Sequence, residues 1–293
     1  MTKFFPYYIY IIFFISHIFI GTREYPEEQV TQLPIGNFAL PTSQQPGPLF
    51  SFGQNIVDKN NFQIFLSGDS FVGDRKNYSD IMPSILYGVS DNFSIFINVP
   101  FAVHLRLNDE KSSGIGDITV QAEYAFYGHD TLSTGADATI VLNIGFPTGS
   151  ASKAPPTGFG GTTIFAGGTL SYSTFDWYLF TCQGVLLTTS HKQTKFGNQV
   201  FYQFGVERCV NFFHGWITAF FLELFGIYSQ RSIFQNTLDL NSGSNIFHAA
   251  PSVWFSSEHF TFQAGFAVPI FQKLRGIQNR NYFTAAINFG WKI

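Results

Sequence analysis

The chain has 293 residues and a net charge of -3, with 37 phenylalanines but only 12% charged residues and a mean hydropathy of +0.09. That charge balance provides no basic face for nucleic acid. A helical membrane protein of this length would show several apolar runs of roughly 20 residues, and none occurs after residue 21. High aromatic content with middling hydropathy is what alternation produces, because each lipid-facing residue is averaged with a lumen-facing one. A single β-barrel domain accommodates such a length.

Lys3 precedes an apolar run from Phe4 to Ile20, and polar Thr22-Arg23-Glu24 follows. Residues 1–21 therefore read as a secretory signal peptide with a signal helix. Phe19, two residues before Gly21, makes a poor cleavage pattern, so an uncleaved anchor stays open as the alternative. Residues 22–60 are rich in glutamine and carry Pro26, Pro34, Pro41, Pro46 and Pro48. They are expected to be an extended segment, either periplasmic or folded into the lumen as a plug.

Residues 61–293 alternate with period two, which no helix supports. Ile118, Val120, Ala122, Tyr124 and Phe126 oppose Asp117, Thr119, Gln121 and Glu123. Ala136, Ala138, Ile140, Leu142 and Ile144 oppose Asp137, Thr139 and Asn143. Strands are expected at 61–72, 79–90, 93–105, 115–127, 131–146, 161–174, 176–189, 197–210, 215–229, 246–257, 259–271 and 281–293. Short connections, such as Ser90-Asp91-Asn92 and Ser257-Glu258, alternate with long ones at 73–78, 106–114, 147–160, 190–196, 230–245 and 272–280. The fold class is thus all-β: a single transmembrane antiparallel β-barrel of about 12 strands, with both termini at the periplasmic, short-turn end. Pro83, Pro100, Pro251 and Pro269 fall inside strands and each removes a ladder donor, so bulges or shifted boundaries are expected there.

The last strand sets Phe283, Ala285, Ile287, Phe289, Trp291 and Ile293 on one face, against Thr284, Asn288 and Lys292 on the other. It resembles the C-terminal signal by which the assembly machinery of Gram-negative outer membranes recognises its barrels, through Phe289, Trp291 and Ile293. The departure is Ile293, where that signal usually ends in Phe or Trp.

Tyr87-Gly88-Val89-Ser90-Asp91-Asn92, followed by Asn98-Val99-Pro100-Phe101, resembles the hairpin of outer-membrane barrels grouped as putative MetA-pathway of phenol degradation proteins. Gly114-Ile115-Gly116-Asp117-Ile118 is similar to that family's "GxGD" strand start, and Gly145-Phe146-Pro147-Thr148-Gly149 to its "PTG" strand exit. The resemblance covers residues 60–150 and implies transport of small, often hydrophobic compounds. No transport residues carry over. Gly-Asp and Pro-Thr-Gly also have a plain reading as turns at the membrane edge.

The alternation assigns Asp69, Asp117, Gln121, Glu123, Asp137, Asn143, Glu207 and Glu223 to the lumen, with Lys292 the strong base near the periplasmic rim. Carboxylates around water would attract cations. The same acids can instead fill the interior through hydrogen bonds, and twelve strands lie between filled 8-stranded barrels and open porins. Gln183, Gln199 and Gln203 are placed on the same inner face, with Cys182 facing lipid and Cys209 facing in as free thiols. Basic outer loops (Lys192, Lys195, Arg231, Lys273, Arg275, Arg280) suit lipopolysaccharide phosphates. Seven scattered histidines show no ligand spacing, so no metal or other cofactor is expected. Adjacent Ser190-His191 give no lipid-hydrolase arrangement. The sequence ranks a porin-like channel or transporter for small, hydrophobic or cationic solutes first. A structural or surface-interaction barrel comes second and an outer-membrane lipid hydrolase third, so no enzyme is expected.

Overall fold

The computed structural model describes residues 36–293 apart from His214. The expected signal peptide lies outside the described residues. Two short 3-10 turns, Gly36–Phe38 and Thr42–Gln44, precede sixteen strands. These are β1 Phe62–Gly73, β2 Lys76–Ser90, β3 Phe93–Asn98, β4 Phe101–Leu107, β5 Glu110–Ile115, β6 Thr119–Asp130, β7 Thr134–Gly145 and β8 Thr163–Thr174. They continue as β9 Trp177–Thr188, β10 Gln199–Phe213, β11 Trp216–Ser229, β12 Ile233–Phe234, β13 Thr237–Leu238, β14 Ser244–Ser256, β15 Phe260–Leu274 and β16 Asn281–Lys292.

One antiparallel sheet runs from β1 through β16 and back to β2, and β1 also pairs with β2, so the sheet closes. β3 and β4 form one stave interrupted at Val99-Pro100, because both pair with the continuous β2. β5 and β6 form another, interrupted over 116–118. The result is a closed 12-stave barrel. Closure leaves the wall without a free sheet edge, so its ladder donors and acceptors are paired within it, which a hydrocarbon surround demands. Ile293 completes it, its N–H donating to Phe62 O at 2.9 Å.

The outward face is apolar, with Ile85, Ile97, Ile140, Leu142, Leu179 and Phe220 exposed. At the short-turn end Trp177, Trp216 and Trp291 stand outward, and Phe260 packs edge-on against both Trp216 and Trp291. The Arg208 guanidinium lies 5.2 Å from the Trp177 ring centre, its charge held at the aromatic belt.

Several expected boundaries shift. The long connection expected at 73–78 is a two-residue turn, Asp74-Arg75, with Arg75 at φ 52. That expected at 106–114 is the tip of the β4–β5 hairpin, which stands beside the Asp74-Arg75 turn, Asn108 N–H donating to Arg75 O at 2.7 Å. The 230–245 loop contains the small β12–β13 hairpin. The prolines act as their chemistry requires. Pro100 breaks its stave, and a register shift after Phe247 brings His248 opposite Pro269. The β14–β15 ladder skips Pro251, while Pro83 stays paired within β2.

One face assignment is reversed. On β9 the inward residues are Phe180, Cys182 and Gly184, whereas Gln183 is exposed on the outer face. Cys182 pairs laterally with Gln203 and Thr169, both inward. The two cysteines are free thiols that share a buried apolar cluster with Leu40 and Phe180. Apolar residues point inward there because residue 40, from the N-terminal segment, gives them an apolar partner. Alternation alone cannot report such an internal occupant.

Candidate functional site: the occupied lumen

Residues 36–60 run inside the barrel. The path starts at the short-turn end, where Asn37 N–H donates to Phe175 O at 2.7 Å. Gly36 adopts φ +53, and a Cβ there would lie 2.0 Å from Phe175 O, so only glycine fits. Asn37 Nδ2 donates to Glu207 Oε2 at 3.1 Å. Ser256 Oγ and Gln263 Nε2 donate to the carbonyls of Gln44 and Gly47, at 2.9 and 3.0 Å.

Mid-barrel, two carboxyl groups clasp the segment. Glu223 Oε1 accepts from Leu49 N at 2.8 Å and Phe50 N at 3.2 Å. Its Oε2 accepts from Phe50 N at 3.2 Å, Ser51 N at 2.9 Å and Ser51 Oγ at 2.7 Å. Three successive N–H groups thus form an anion nest around one side chain. Across the lumen, Glu123 Oε1 accepts from Gln54 N at 2.9 Å and Thr139 Oγ1 at 2.6 Å, and Oε2 from Asn55 N at 3.1 Å. Between the clasps Gly53 (φ 83) and Gln54 (φ 63) turn the chain through left-handed conformations. A Cβ on Gly53 would meet Thr169 Cγ2 at 2.3 Å. Phe52 N–H donates to Gln203 Oε1 at 3.1 Å, and Phe50 stacks on Phe225 at 5.7 Å. The segment then descends, Val57 N–H donating to Ser94 Oγ at 3.1 Å, and enters β1.

Glu123, Glu207 and Glu223 are 1%, 0% and 0% exposed. Burying a carboxylate costs several kcal/mol unless charge-assisted donors replace its water. The segment supplies every donor to Glu223 and, beside Thr139 of the wall, two to Glu123, whereas Glu207 receives one, from Asn37. These three glutamates therefore hold the occupant and border no aqueous path while it is in place.

The other expected lumen residues are placed differently. Asp69 and Asp80 face each other across β1 and β2 in the outer half, beyond the clasps. Gln121 and Asn143 pair across β6 and β7 at a similar height. Asp137 lines a cavity at the short-turn end. Asp117 lies off the strands, between β5 and β6, and its carboxylate accepts from Gly149 N at 2.9 Å and Phe159 N at 2.6 Å.

The three family-like motifs meet around Asp117. Thr148 Oγ1 accepts from Ile118 N and donates to Gly116 O, both at 2.8 Å, and Gly116 N–H donates to Pro100 O at 2.8 Å. They form a latch folding the 146–162 loop onto the long-loop rim, which is the plain turn reading. Asp117→Ala should leave two N–H groups without their acceptor, at about 1–3 kcal/mol each. The expected result is faster hydrogen exchange confined to residues 146–162, with the barrel amides unchanged.

Among the described residues no set of three histidine, cysteine or acidic groups converges to hold a metal ion. Sequence reasoning missed the plug's contact residues, Leu49 to Asn55. The available signal was the excess of expected lumen acids over Lys292, which calls for donors from elsewhere.

No family model matches the chain, and no curated protein is similar to it in sequence. Its fold is similar to that of an outer-membrane channel from Pseudomonas putida F1, with a TM-score of 0.70 at 10% identity over 85% of this chain and 99% of that one. It is also similar to the NanC porin, with a TM-score of 0.50 at 11% identity over 78% of this chain and all of that one. The architecture is therefore that of outer-membrane barrel channels.

Proposed function

We propose that the protein is a plugged channel of the bacterial outer membrane, with residues 36–60 closing the lumen until they are displaced. The observation that carries this reading is the clasp of Glu223 and Glu123 on Leu49–Asn55. Between its ends the plug lies off the barrel sheet and is held mainly by side chains of the wall, so it can leave without breaking the barrel ladders. Above it, Asp69 and Asp80 share the outer lumen with the Phe71–Tyr78 ring pair. Aromatic rings with carboxylates suit a small solute that is apolar, cationic or both. The resemblance to phenol-degradation barrels supports the apolar part of that range.

Liposome swelling tests the reading. Vesicles carrying the full chain should admit small solutes slowly, and those carrying a chain without residues 36–57 quickly. Equally slow entry with and without the segment would overturn the plugged-channel reading in favour of a structural barrel.

Two surface interactions complete the proposal. Basic outer loops bearing Lys192, Lys195 and Arg231 bind lipopolysaccharide phosphates, and the assembly machinery engages Phe289, Trp291 and Ile293 on β16. Deleting Phe289–Ile293 should abolish membrane assembly while export continues, because β16 also closes the barrel on β1. The check is heat-modifiable migration on a gel: the truncated chain should show none, and normal migration would refute the role of this strand.

A further inference from the structure

We infer that the outward wall of β10, β11, β14 and β15, below the long-loop rim, holds the phosphate of an outer-leaflet lipid at Lys273 and Arg275. The placement follows from the ladders. Gln203 faces inward, where its Oε1 accepts from Phe52 of the plug, and Phe204 stands exposed on the outer face. Alternation therefore turns Val200 and Tyr202 outward as well. Residues directly opposite one another across a ladder share a face. Val200, Tyr228, Asn245 and Lys273 thus form one outward row, neighbour to neighbour from β10 to β15. Tyr202, Gly226, Phe247 and Phe271 form the row beneath it, nearer the middle of the barrel.

The two rows differ in chemistry. In the lower one the Tyr202 ring covers Gly226, where a Cβ would meet it at 2.0 Å, and stacks on Phe247 at 5.8 Å. Phe271 continues this apolar band and is exposed. The upper row is polar and basic. Tyr202 Oη donates to Asn245 Oδ1 at 2.6 Å, joining the two rows. Arg275, which follows β15, reaches the same row: a guanidinium nitrogen donates to Tyr228 Oη at 3.3 Å, and the group lies 5.9 Å from that ring's centre. Tyrosines with an apolar ring and a polar tip belong at a membrane interface.

Lys273 and Arg275 stand close together with like charge, and neither row contains an acid. Among the described residues neither cation forms an ion pair. A cation on the lipid-facing wall is costly at mid-membrane and tolerated near the interface, where lipid phosphate is the anion at hand. Ammonium and guanidinium both donate to phosphate oxygens, while acyl chains lie along the Tyr202–Phe247 stack and Phe271. A free phosphate would meet the charges and leave the apolar row uncovered, so the arrangement favours the lipid. The inference rests on the outer-membrane reading and moves its lipid contact from the loops to a defined place on the wall. It does not depend on movement of the plug.

The test is native mass spectrometry of the full chain released from neutral detergent after addition of a bisphosphorylated, acylated diglucosamine lipid. The same lipid without phosphates, and inorganic phosphate, are the comparisons. The phosphorylated lipid should be retained saturably and the other two should not. Lys273→Gln with Arg275→Gln should lower retention on the order of tenfold, the effect of about one lost hydrogen bond between charged groups. Lys273→Arg should preserve it. Both residues stand at a strand end, and heat-modifiable migration checks assembly of each variant first. Loss of retention on Lys192→Gln with Lys195→Gln, but not on the wall variant, would overturn the inference and leave the loop contact standing. Loss on neither would overturn both. Equal retention of the lipid without phosphates, or its displacement by an equal concentration of inorganic phosphate, would also overturn the wall site. Retention is read without transport, so a barrel that fails to conduct leaves the result standing on its own.

Discussion

Replacing Glu123 and Glu223 together by alanine is expected to free the plug while leaving the barrel folded. Five backbone N–H groups, from Leu49, Phe50, Ser51, Gln54 and Asn55, then lose their acceptors. Each hydrogen bond to a charged group is worth about 1.5–3 kcal/mol, and each donor left buried and unpaired costs about 1–3 kcal/mol. These values do not add strictly, yet their sum exceeds what the Phe50–Phe225 stack and the edge-to-face Phe52–Phe165 pair contribute, about 0.5–1.5 kcal/mol per pair beyond burial. The segment relieves the imbalance by moving into water. The wall keeps its ladders, because no plug residue takes part in them. Limited thermolysin digestion in detergent checks the outcome: cleavage near Leu49, Phe50 or Phe52 should appear in the double variant and be absent from the parent. Both should retain heat-modifiable migration. Glu207→Ala, which removes the single bond from Asn37, should have a smaller effect. A double variant as resistant as the parent would mean that packing, not the clasps, holds the plug.

The wall was legible in the sequence because lipid imposes one rule on every stave. Ile140, Leu142 and Ile144 against Thr139 and Asn143 could satisfy hydrocarbon outside and polar neighbours inside only as a strand. The terminal strand was legible for the same reason. The interior was not, because the plug changes what an inward residue meets. Phe180 and Cys182 face inward against Leu40, so on β9 apolar residues stand on both faces and the alternation no longer tells them apart. Glu123 and Glu223 were assigned to the lumen, where they do point, but alternation cannot distinguish a carboxylate facing water from one facing a nest of N–H groups. Asp117 showed a different limit. Its neighbour Gly116 lies where a stave is interrupted, and the aspartate serves a loop contact some thirty residues along the chain, to Gly149.

Removing residues 36–57 is expected to produce the largest functional change. The deleted stretch crosses the lumen at the level of Glu223 and Glu123, while Asn60 and Asn61, which precede β1 and bond to Gly88 of β2, remain. Twelve staves enclose more space than the eight that side chains alone can fill. Emptying this barrel should therefore leave a water-filled passage bordered by Asp69, Asp80, Glu123, Asp137, Glu207 and Glu223. Those carboxylates would then face water, and the passage should favour cations, with a reversal potential of the corresponding sign in a salt gradient. The direct measurement is single-channel current in planar bilayers for the full chain and the deletion variant under identical salt. Brief or no openings from the full chain, against sustained cation-selective conductance from the variant, is the result predicted here. Equal conductance from the two would contradict the plug, and with it the account of why those glutamates are buried.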